Sequence, residues 1–423
     1  MVLNKNKEEI GYTKKVLLIG GGMGQLQLAR KLHDKGLYFA VVAYNIIDEV
    51  RLLANKVIKH DLFDLEGVLA IAKEEKVDAV LSDQHDLFIP TVAYVAEHMN
   101  LPGNRYEQVI TYCDKNKFRT VCDRVEVPVP KHHDVSNSYI SLADYGISLP
   151  VMVKPADSQS SVGVVKVVDD SELQTALSNA ISLSRSGSAI IEDFIVGQEI
   201  VCEGVIQDGN YYNLEFADRV YFNLPDKFVP SQTIFPSTIP DDVKQRIIDC
   251  EKRIAQFEQP RFAIVHSEYL WNKDSNEICC VESALRGGGV FISSHLIPAC
   301  TGIDINDALI DFALGKQIDV ETIVAHKENK AAAYICFYLP QGIVENIEGK
   351  EELKSRPDVI MACLDNLKVG NIAGKMEHKG SRLGPILVRA NSRKELEIVI
   401  NSIRDELKVS VRTADGLKTQ IWE

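Results

Sequence analysis

The chain has 423 residues, 45% of them hydrophobic and 25% charged, which is enough for two or three globular domains with separate cores. Its formal net charge of −13 argues against a nucleic-acid backbone as the main partner, because phosphate contacts require basic surface. No apolar run reaches the roughly 18 residues of a membrane span, and residues 1–15 lack the apolar segment of a signal peptide. We therefore expect a cytoplasmic protein that acts on small molecules and binds neither nucleic acid nor a membrane.

The cysteines show no pattern of a metal or redox site. There are nine of them, an odd number, and no pair has the Cys-x-x-Cys spacing. We interpret all of them as reduced, small hydrophobic side chains.

The first 112 residues alternate between strand-like and helix-like patterns. An apolar run at 14–19 enters a glycine turn at 20–24, and apolar residues at helical spacing follow it. Further strand patterns occupy 38–44, 57–58 and 79–81, and helical patterns occupy 66–75 and 90–99. This alternation predicts a parallel sheet with helices on its faces, and we assign residues 1–112 to one α/β domain.

The glycine turn raises the alternative of a dinucleotide site, since glycines between a strand and a helix let a phosphate approach the helix N-terminus. However, Gln25 stands where the third glycine of that fingerprint belongs, and Asn45 stands where an acidic ribose ligand is expected. A tight turn that brings the helix close to the sheet explains the glycines equally well. A nicotinamide oxidoreductase is the weaker alternative, although the mouth of this sheet could bind part of a substrate.

From residue 113 onwards the pattern becomes α+β. Strand patterns lie at 151–154, 164–168, 189–192, 199–206 and 211–216, and helical patterns lie at 171–184 and 241–257. After a polar connection, an apolar strand at 331–339 and a last helix at 392–406 follow. We assign 113–325 to a second domain and 326–423 to a C-terminal α+β unit.

A lysine within an apolar, strand-like run marks the first candidate site. Lys154 ends the run 151–154, and a buried ammonium needs an anionic partner to offset its desolvation. The hydroxyl-rich loop 157–163, which contains Ser160, Ser161 and Gly163, can cover phosphates with backbone N–H groups and hydroxyls. We therefore interpret the partner of Lys154 as a ligand phosphate and not a buried protein carboxylate.

Two glutamates on a predicted hairpin mark the second candidate site. A hairpin symmetric about Asp274 places Glu268 opposite Cys280, with Glu282 diagonally across on the same face. Diagonal neighbours are about 7–8 Å apart, near enough for both carboxylates to hold one or two ions. Such hard oxygen ligands suit magnesium.

Arg286 follows Glu282 by four residues and precedes three consecutive glycines. A guanidinium beside two metal-binding carboxylates is well placed to neutralise a transferring phosphoryl group.

Together these motifs resemble the ATP-grasp superfamily over residues 14 to about 320 and, with the C-terminal unit, over nearly the whole chain. Each motif is weak alone, but their order is specific: Asp114-Lys115, Val153-Lys154-Pro155 with its loop, 191–195 with Gly197-x-Glu199, Glu268, and 282–286. The resemblance implies that the first domain is the substrate domain preceding the ATP-grasp domain. It also implies a mobile lid at about 124–195 and ATP bound between two antiparallel sheets.

The resemblance implies a role for each motif residue. The expected nucleotide-binding residues, including the loop, are Lys115, Lys154, Ser160, Ser161, Gly163, Glu192, Asp193, Phe194, Ile195 and Glu199. Within this set the lysines would contact ATP phosphates, the backbone of the hinge at 192–195 would read the adenine edge, and Glu199 would accept from the ribose hydroxyls. Glu268 and Glu282 would bind Mg²⁺ or Mn²⁺, and Arg286 would act with Lys154 in catalysis by stabilising the transition state.

One position departs from the family pattern. Ala284 stands where an asparagine usually serves as a metal ligand, two residues after the second glutamate. The number of bound ions is therefore open, and a nucleotide-binding regulatory protein without turnover is the alternative that this departure supports.

Within the superfamily the chain is similar to stand-alone carboxylate–amine ligases, including L-amino-acid ligases. The resemblance implies an ADP-forming ligase that activates a carboxylate as an acyl phosphate and joins it to an amine or ammonia. A reaction like that of carbamoyl-phosphate synthase or biotin carboxylase is the alternative, and a homodimer is common in the family. Candidate substrate contacts are Asp83, Arg219, His266 and Arg382.

Overall fold

The computed structural model describes residues 14–159, 162–224, 227–376 and 378–423. The N-terminal unit is built on a four-stranded parallel sheet of order β3-β2-β1-β4. Its strands are β1 Lys15–Gly21, β2 Tyr38–Ile46, β3 Lys56–Lys59 and β4 Ala79–Leu81. Its helices are α1 Leu26–Asp34, α2 Asp48–Leu53, α3 Leu65–Glu75, α4 Ile89–His98 and α5 Tyr106–Cys113. The predicted parallel sheet is confirmed.

The apolar sequence of β1 follows from its position inside this sheet. Val16 to Ile19 are completely buried, because helices cover both faces. Gly20 then turns the chain with φ +93°, and a Cβ there would lie 2.7 Å from the Phe88 ring. The glycine turn is therefore required by close packing at the mouth of the sheet.

A second sheet, which is antiparallel and has the order β5-β8-β6-β7, lies within the range predicted to be the lid, and we call it the lid sheet. Its strands are β5 His132–Val135, β6 Val151–Pro155, β7 Val165–Val167 and β8 Ala189–Asp193. Helix α6, Lys115–Arg124, leads into it, and α7, Asp170–Leu183, packs its apolar stripe against the sheet.

The largest sheet has eight strands in the order β13-β12-β9-β10-β11-β14-β18-β16. These strands are β9 Gln198–Gln207, β10 Asn210–Tyr221, β11 Pro230–Phe235, β12 Phe262–Asn272, β13 Glu277–Ala284, β14 Ala331–Phe337, β16 Val359–Ala362 and β18 Leu383–Ala390. A small sheet of order β17-β15-β19-β20 follows beside it, made of β15 Gly342–Glu348, β17 Ile372–Ala373, β19 Lys408–Thr413 and β20 Gly416–Thr419.

Helices cover both faces of the large sheet. They are α8 Asp241–Glu258, α9 Ile297–Thr301, α10 Ile305–Ala313, α11 Val320–Ala325, α12 Lys350–Ser355 and α13 Arg393–Glu406. Helix α8 shares one core with α6, whereas α9 and α11 lie in the core of the opposite face. Helix α10 also reaches the N-terminal sheet, because Ile310 and Ala313 pack with Val16 and Leu28. This packing joins the N-terminal unit to the large sheet.

The large sheet crosses the predicted boundary at 325/326. Strand β11 pairs with β14, with Phe235 opposite Ala332, so three strands of the C-terminal unit extend the sheet of the second domain. The division at this boundary remains a prediction. In the described parts of the chain, no helix combines the length and apolar character needed to cross a bilayer.

Candidate active site

A cavity of about 370 Å³ lies between the lid sheet and the large sheet. Apolar side chains from both sheets, including Met152, Phe194, Phe228 and Leu270, line one part of it. Charged side chains line the remainder: Lys115, Lys154, Glu192, Asp193, Glu199, Arg219, Glu268 and Glu282. A cavity with an apolar part, which we call the apolar slot, and a charged part suits a ligand that has an apolar end and a charged end.

The predicted hinge forms one wall of the apolar slot. The amide of Asp193 donates to Lys131 O at 2.9 Å, and that of Phe194 donates to Pro150 O at 3.2 Å. Within the described part of the chain, no acceptor is found for the amide of Ile195. An unpaired N–H beside an apolar slot can donate to a ring nitrogen, as the adenine role requires.

Lys154 has a protein partner, which corrects the sequence-based interpretation. Its ammonium lies 2.5 Å from Glu192 Oε2, and Arg119 binds the other oxygen of the same carboxylate at 2.7 Å. Glu192 is 1% exposed. Burial opposes its charge, but the two cations outweigh burial and lower the pKa of Glu192 to about 2. The sequence could not reveal this triad because its members come from α6, β6 and β8.

Lys115 lies at the start of α6, close to the loop after β6. Asp114 caps this helix by accepting from the amides of Asn116 and Lys117. The Lys115 ammonium donates to Ser158 O at 2.8 Å and lies 3.8 Å from Glu282. Lys115 therefore lies between the loop 157–163 and Glu282, one of the two predicted metal-binding glutamates.

The loop itself is described only in part. Ser160 and Ser161 lie outside the described residues. Gly163 has φ +74°, and a Cβ there would lie 2.8 Å from both Pro155 and Leu183. Gly163 is thus required by the turn and its packing, and it is not among the residues lining the cavity.

The two glutamates lie directly opposite each other, so the predicted diagonal arrangement is wrong. Glu268 pairs with Glu282 across β12 and β13, whereas Tyr269 pairs with Cys280. Val281 is an additional residue on β13 at this point, and it shifts the register. Such a bulge cannot be deduced from a turn position.

Glu268 is embedded in a network of charges. Arg219 forms ion pairs with both Glu268 and Glu199, and Tyr221 donates to Glu199. Burial opposes ionisation of Glu268, but Arg219 and His266 outweigh it and hold the pKa of Glu268 well below its usual range. Burial and the neighbouring Glu268 raise the pKa of Glu199. Arg219 thus keeps Glu268 anionic.

His266 lies opposite Ala284, the position where the family usually has asparagine. Its Nδ1 faces Glu203, and its Nε2 lies 3.4 Å from Glu268 Oε1. Glu203 and Glu268 outweigh burial and raise the pKa of His266. The space beside Ala284 is therefore occupied by a histidine that is held by two carboxylates.

Arg286 is held by a residue of the N-terminal unit. Its guanidinium donates to both carboxylate oxygens of Asp86 at 2.7 Å. The amide of Gly287 donates to Asp83 at 2.8 Å, and the amide of Gly288 donates to Glu203 at 3.2 Å. The bonds to Asp86 and Asp83 attach residues 286–287 to the segment that follows β4, and the bond to Glu203 attaches Gly288 to β9.

A second cavity of about 200 Å³ adjoins the first. Four side chains line both cavities: Gln159, Arg219, Glu268 and Glu282. Arg286, His266, Lys379 and Arg382 line only the second. The carboxylate pair therefore separates a nucleotide-sized cleft from a smaller polar chamber.

The carboxylate pair alone makes a sparse metal site. No group of three or more potential metal-binding side chains occurs within the described ranges. Magnesium commonly takes one or two carboxylates together with substrate phosphates, so Glu268 and Glu282 fit such an ion if phosphates complete its coordination.

Sequence reasoning missed Arg119, Glu203, Asp86 and Lys379. A signal existed only for Asp86, which follows β4 in the segment 82–86. Ligands of parallel sheets bind beyond the carboxyl ends of the strands, where this segment lies. The roles of the other three residues become visible only from contacts between segments that are distant in the sequence.

Comparison with known proteins supports this architecture. The family model described as "D-ala D-ala ligase C-terminus" matches residues 125–257. Alanine–anticapsin ligase of Bacillus subtilis is 26% identical over 314 residues, which are 67% of this chain and 63% of that protein. The match thus spans less than two thirds of that relative.

Two crystal structures share the fold. L-amino acid ligase from Bacillus licheniformis has a TM-score of 0.79 at 21% identity, with 96% of this chain and all of that chain covered. The biotin carboxylase domain dimer of Hydrogenobacter thermophilus 2-oxoglutarate carboxylase, in complex with MgADP, has a TM-score of 0.71 at 17% identity, with coverage of 96% and 91%. The family model, the curated relative and the two solved structures agree with the resemblance to the ATP-grasp superfamily that the sequence motifs indicate.

Proposed function

We propose that the protein is an ATP- and Mg²⁺-dependent ligase that forms a C–N bond and releases ADP. The observation that carries this proposal is the position of Glu268 and Glu282, which line both the nucleotide-sized cavity and the smaller chamber. A phosphoryl donor and a carboxylate acceptor bound in the two cavities would meet at this pair. The similarity to amino-acid ligases supports a carboxylate and an amine as substrates.

The position of each residue suggests its role in the reaction. The Ile195 amide and the apolar slot would hold the adenine, and Lys115 and Lys154 would hold the phosphates. A magnesium ion held by Glu268 and Glu282 would neutralise phosphate charge. The substrate carboxylate oxygen attacks the γ-phosphorus, ADP leaves, and Arg286 neutralises charge on the transferring group. The amine then attacks the acyl carbon, and phosphate and a proton leave.

Two contacts join the predicted lid to the N-terminal unit. Gln159 lies 3.0 Å from a ring nitrogen of His85, and the Arg185 guanidinium lies 3.4 Å from the centre of the Phe63 ring. Burial lowers the pKa of His85 to about 4, so its ring is neutral and can accept from the Gln159 amide. A lid held closed by such contacts would protect an acyl phosphate from water.

A regulatory protein without turnover is the alternative, supported by Ala284. The presence of Glu268, Glu282 and Arg286 where the two cavities meet argues against this alternative. We expect small-molecule substrates and a cytoplasmic location, and the dimeric relative supports a homodimer.

The test is Glu282→Gln, which keeps the shape of the side chain and removes its charge. ADP release with a panel of carboxylates and amines should fall at least 100-fold at every magnesium concentration. Glu277→Gln is the matched control, because Glu277 is exposed at the other end of the same strand, and it should keep wild-type activity. Wild-type turnover by Glu282→Gln would show that the carboxylate pair is not the reaction centre. Tight ATP binding without ADP release by the unaltered protein would establish the regulatory alternative.

A further inference from the structure

Arg219 bridges two carboxylates on neighbouring strands of the large sheet. It lies on β10, and it contacts Glu199 on β9 and Glu268 on β12. One nitrogen, Nη1, donates to Glu199 Oε1 at 2.8 Å and also to Glu268 Oε1. The side chain is 7% exposed and lines both the nucleotide-sized cavity and the smaller chamber. Its guanidinium therefore lies directly beside a carboxylate that is predicted to hold magnesium.

The guanidinium and a magnesium ion would compete for the same carboxylate. Arg219 occupies Oε1 of Glu268, and His266 Nε2 lies 3.4 Å from that atom. Glu282, the other predicted ligand, has the Lys115 ammonium at 3.8 Å. A divalent ion between the two glutamates would meet these cations, and like charges that are close together repel each other. The protein's own cations thus neutralise much of the charge that would attract a free magnesium ion.

Nucleotide phosphates would change this balance. Phosphate oxygens supply negative charge and further metal ligands, which magnesium commonly takes in addition to one or two carboxylates. When the metal takes the charge of Glu268, Glu199 still lies beside Arg219 and can hold its guanidinium. Tyr221 donates to the other oxygen of Glu199 and keeps this carboxylate in place. Arg219 can therefore release Glu268 without becoming a buried cation that lacks a partner.

We propose that Arg219 is a positioning residue that takes the place of the metal beside Glu268 until a nucleotide binds, so that the site admits magnesium only together with nucleotide phosphates. This inference rests on the proposed function, which assigns the metal to Glu268 and Glu282. It goes beyond that function because it sets the order of binding. Free magnesium does not occupy the site first, and the metal enters with the nucleotide or after it.

Manganese binding without nucleotide tests the inference independently of turnover. Mn²⁺ stands in for Mg²⁺, and the EPR signal of free Mn²⁺ is followed at pH 8 as full-length protein is added. We expect Arg219→Met to bind Mn²⁺ at least tenfold more tightly than the unaltered protein, because Glu268 is released. Arg219→Lys retains a cation and should restore weak binding. Arg51→Met, which removes an exposed arginine of the N-terminal unit, should bind Mn²⁺ as the unaltered protein does.

A double variant separates the release of Glu268 from the loss of a positive charge. Arg219→Met alone leaves two buried carboxylates without their shared cation, which can unfold the protein. Arg219→Met combined with Glu199→Gln removes one charge of each sign, so the net charge of the site is unchanged. This double variant should still bind free Mn²⁺ at least tenfold more tightly than the unaltered protein, and adding Glu282→Gln should abolish the gain. A folded double variant that binds Mn²⁺ as weakly as the unaltered protein would overturn the inference.

The same titration with ADP distinguishes failure of this inference from failure of the proposed function. With saturating ADP, the relaxation of water protons reports Mn²⁺ held on the protein, and Glu282→Gln should weaken this binding at least tenfold. If Glu282→Gln has that effect but no Arg219 variant changes the binding of free Mn²⁺, only the inference is wrong. If ADP does not bring Mn²⁺ onto the unaltered protein, the carboxylate pair is not a metal site, and the proposed function is refuted together with the inference.

Tight binding of free Mn²⁺ by the unaltered protein, at an affinity equal to that measured with ADP, would also overturn the inference. In that case Arg219 would not oppose the metal, although the carboxylate pair would still bind it. The ion pairs of Arg219 would then serve the fold alone.

Discussion

Lys154 and Glu192 face each other across neighbouring strands of the lid sheet, with 2.5 Å between ammonium and carboxylate, and Arg119 binds the same carboxylate from α6. The lysine therefore has two possible partners, a buried glutamate and a ligand phosphate. Both are anions, so the lysine can help to fold the lid and still contact a nucleotide from the same position.

Lys154→Met should weaken both folding and nucleotide binding. Removing one of two cations from buried Glu192 should lower the free energy of unfolding by about 1–3 kcal/mol, since Arg119 remains. ADP affinity should fall at least tenfold. Urea unfolding of the ligand-free protein and calorimetric titration with MgADP measure the two effects.

Arg119→Met is the comparison variant, because Arg119 is completely buried and does not line the nucleotide cavity. It should lose about 3–5 kcal/mol of stability, as expected for one broken partner of a buried ion pair. A Lys154→Met protein that loses stability but binds MgADP normally would show that Lys154 acts only in the fold.

Gly288→Ala should impair activity far more than Gly289→Ala. A Cβ at Gly288 would overlap the Glu203 carboxylate and lie 2.8 Å from Ile292, whereas one at Gly289 meets no described heavy atom within 4 Å. Displacing Glu203 also disturbs His266, which it holds next to Glu268. We expect a loss of about 1–3 kcal/mol in stability for Gly288→Ala and a marked fall in ADP release. Similar behaviour of both variants would mean that the close approach of Gly288 is unimportant.

Ala284→Asn should not restore a metal ligand. Ala284 is 3% exposed and lies opposite His266, so a larger side chain must compete for occupied space. Overpacking should lower the free energy of unfolding by about 1–3 kcal/mol without raising the affinity for magnesium. Unfolding and a magnesium titration of ADP release check this. Tighter magnesium binding at unchanged stability would show that the space beside His266 can accept an amide ligand.

Glu251→Gln should stabilise the protein at alkaline pH. Burial raises the pKa of Glu251 from an ordinary value of 4.5 to about 7, although Tyr269 donates to it at 2.6 Å. The pKa of Glu251 is higher in the folded than in the unfolded protein, so the contribution of this group to the free energy of unfolding is fully present below pH 4.5 and is lost as the pH rises through 7. The loss between these two values is about 1.4 kcal/mol per pH unit. The variant should therefore unfold at a higher temperature than the unaltered protein at pH 8 and at a similar one near pH 4.5. An equal difference at both pH values would contradict ionisation of Glu251 as the cause.

Hydrophobic periodicity predicted the local elements of this fold well. Helix α8 at 241–258 and strand β4 at 79–81 have a single strong pattern and clear flanking signals, and both lie where the sequence places them. The strand order of the large sheet was harder to predict, because β11 pairs with β14 and no local sequence pattern connects these two segments. The site residues were predicted from motif order, and their roles stay predictions.

The details of the candidate site depended on features without a local signal. The bulge at Val281 changed the partner of Glu268 from Cys280 to Glu282. The triad of Lys154, Glu192 and Arg119 required three elements to meet. Register shifts and buried charge networks are set by tertiary packing, which overrides the symmetry of an isolated hairpin.

The eight-stranded sheet has a consequence for biosynthesis. Strand β11 has β14 as its outer neighbour, yet residues 331–337 are translated long after 230–235. On the ribosome, the nascent chain therefore carries an open strand edge until β14 emerges, and open edges promote pairing with other chains. Chaperone demand and proteolytic sensitivity should peak in this interval of synthesis, before the last strands close the edge.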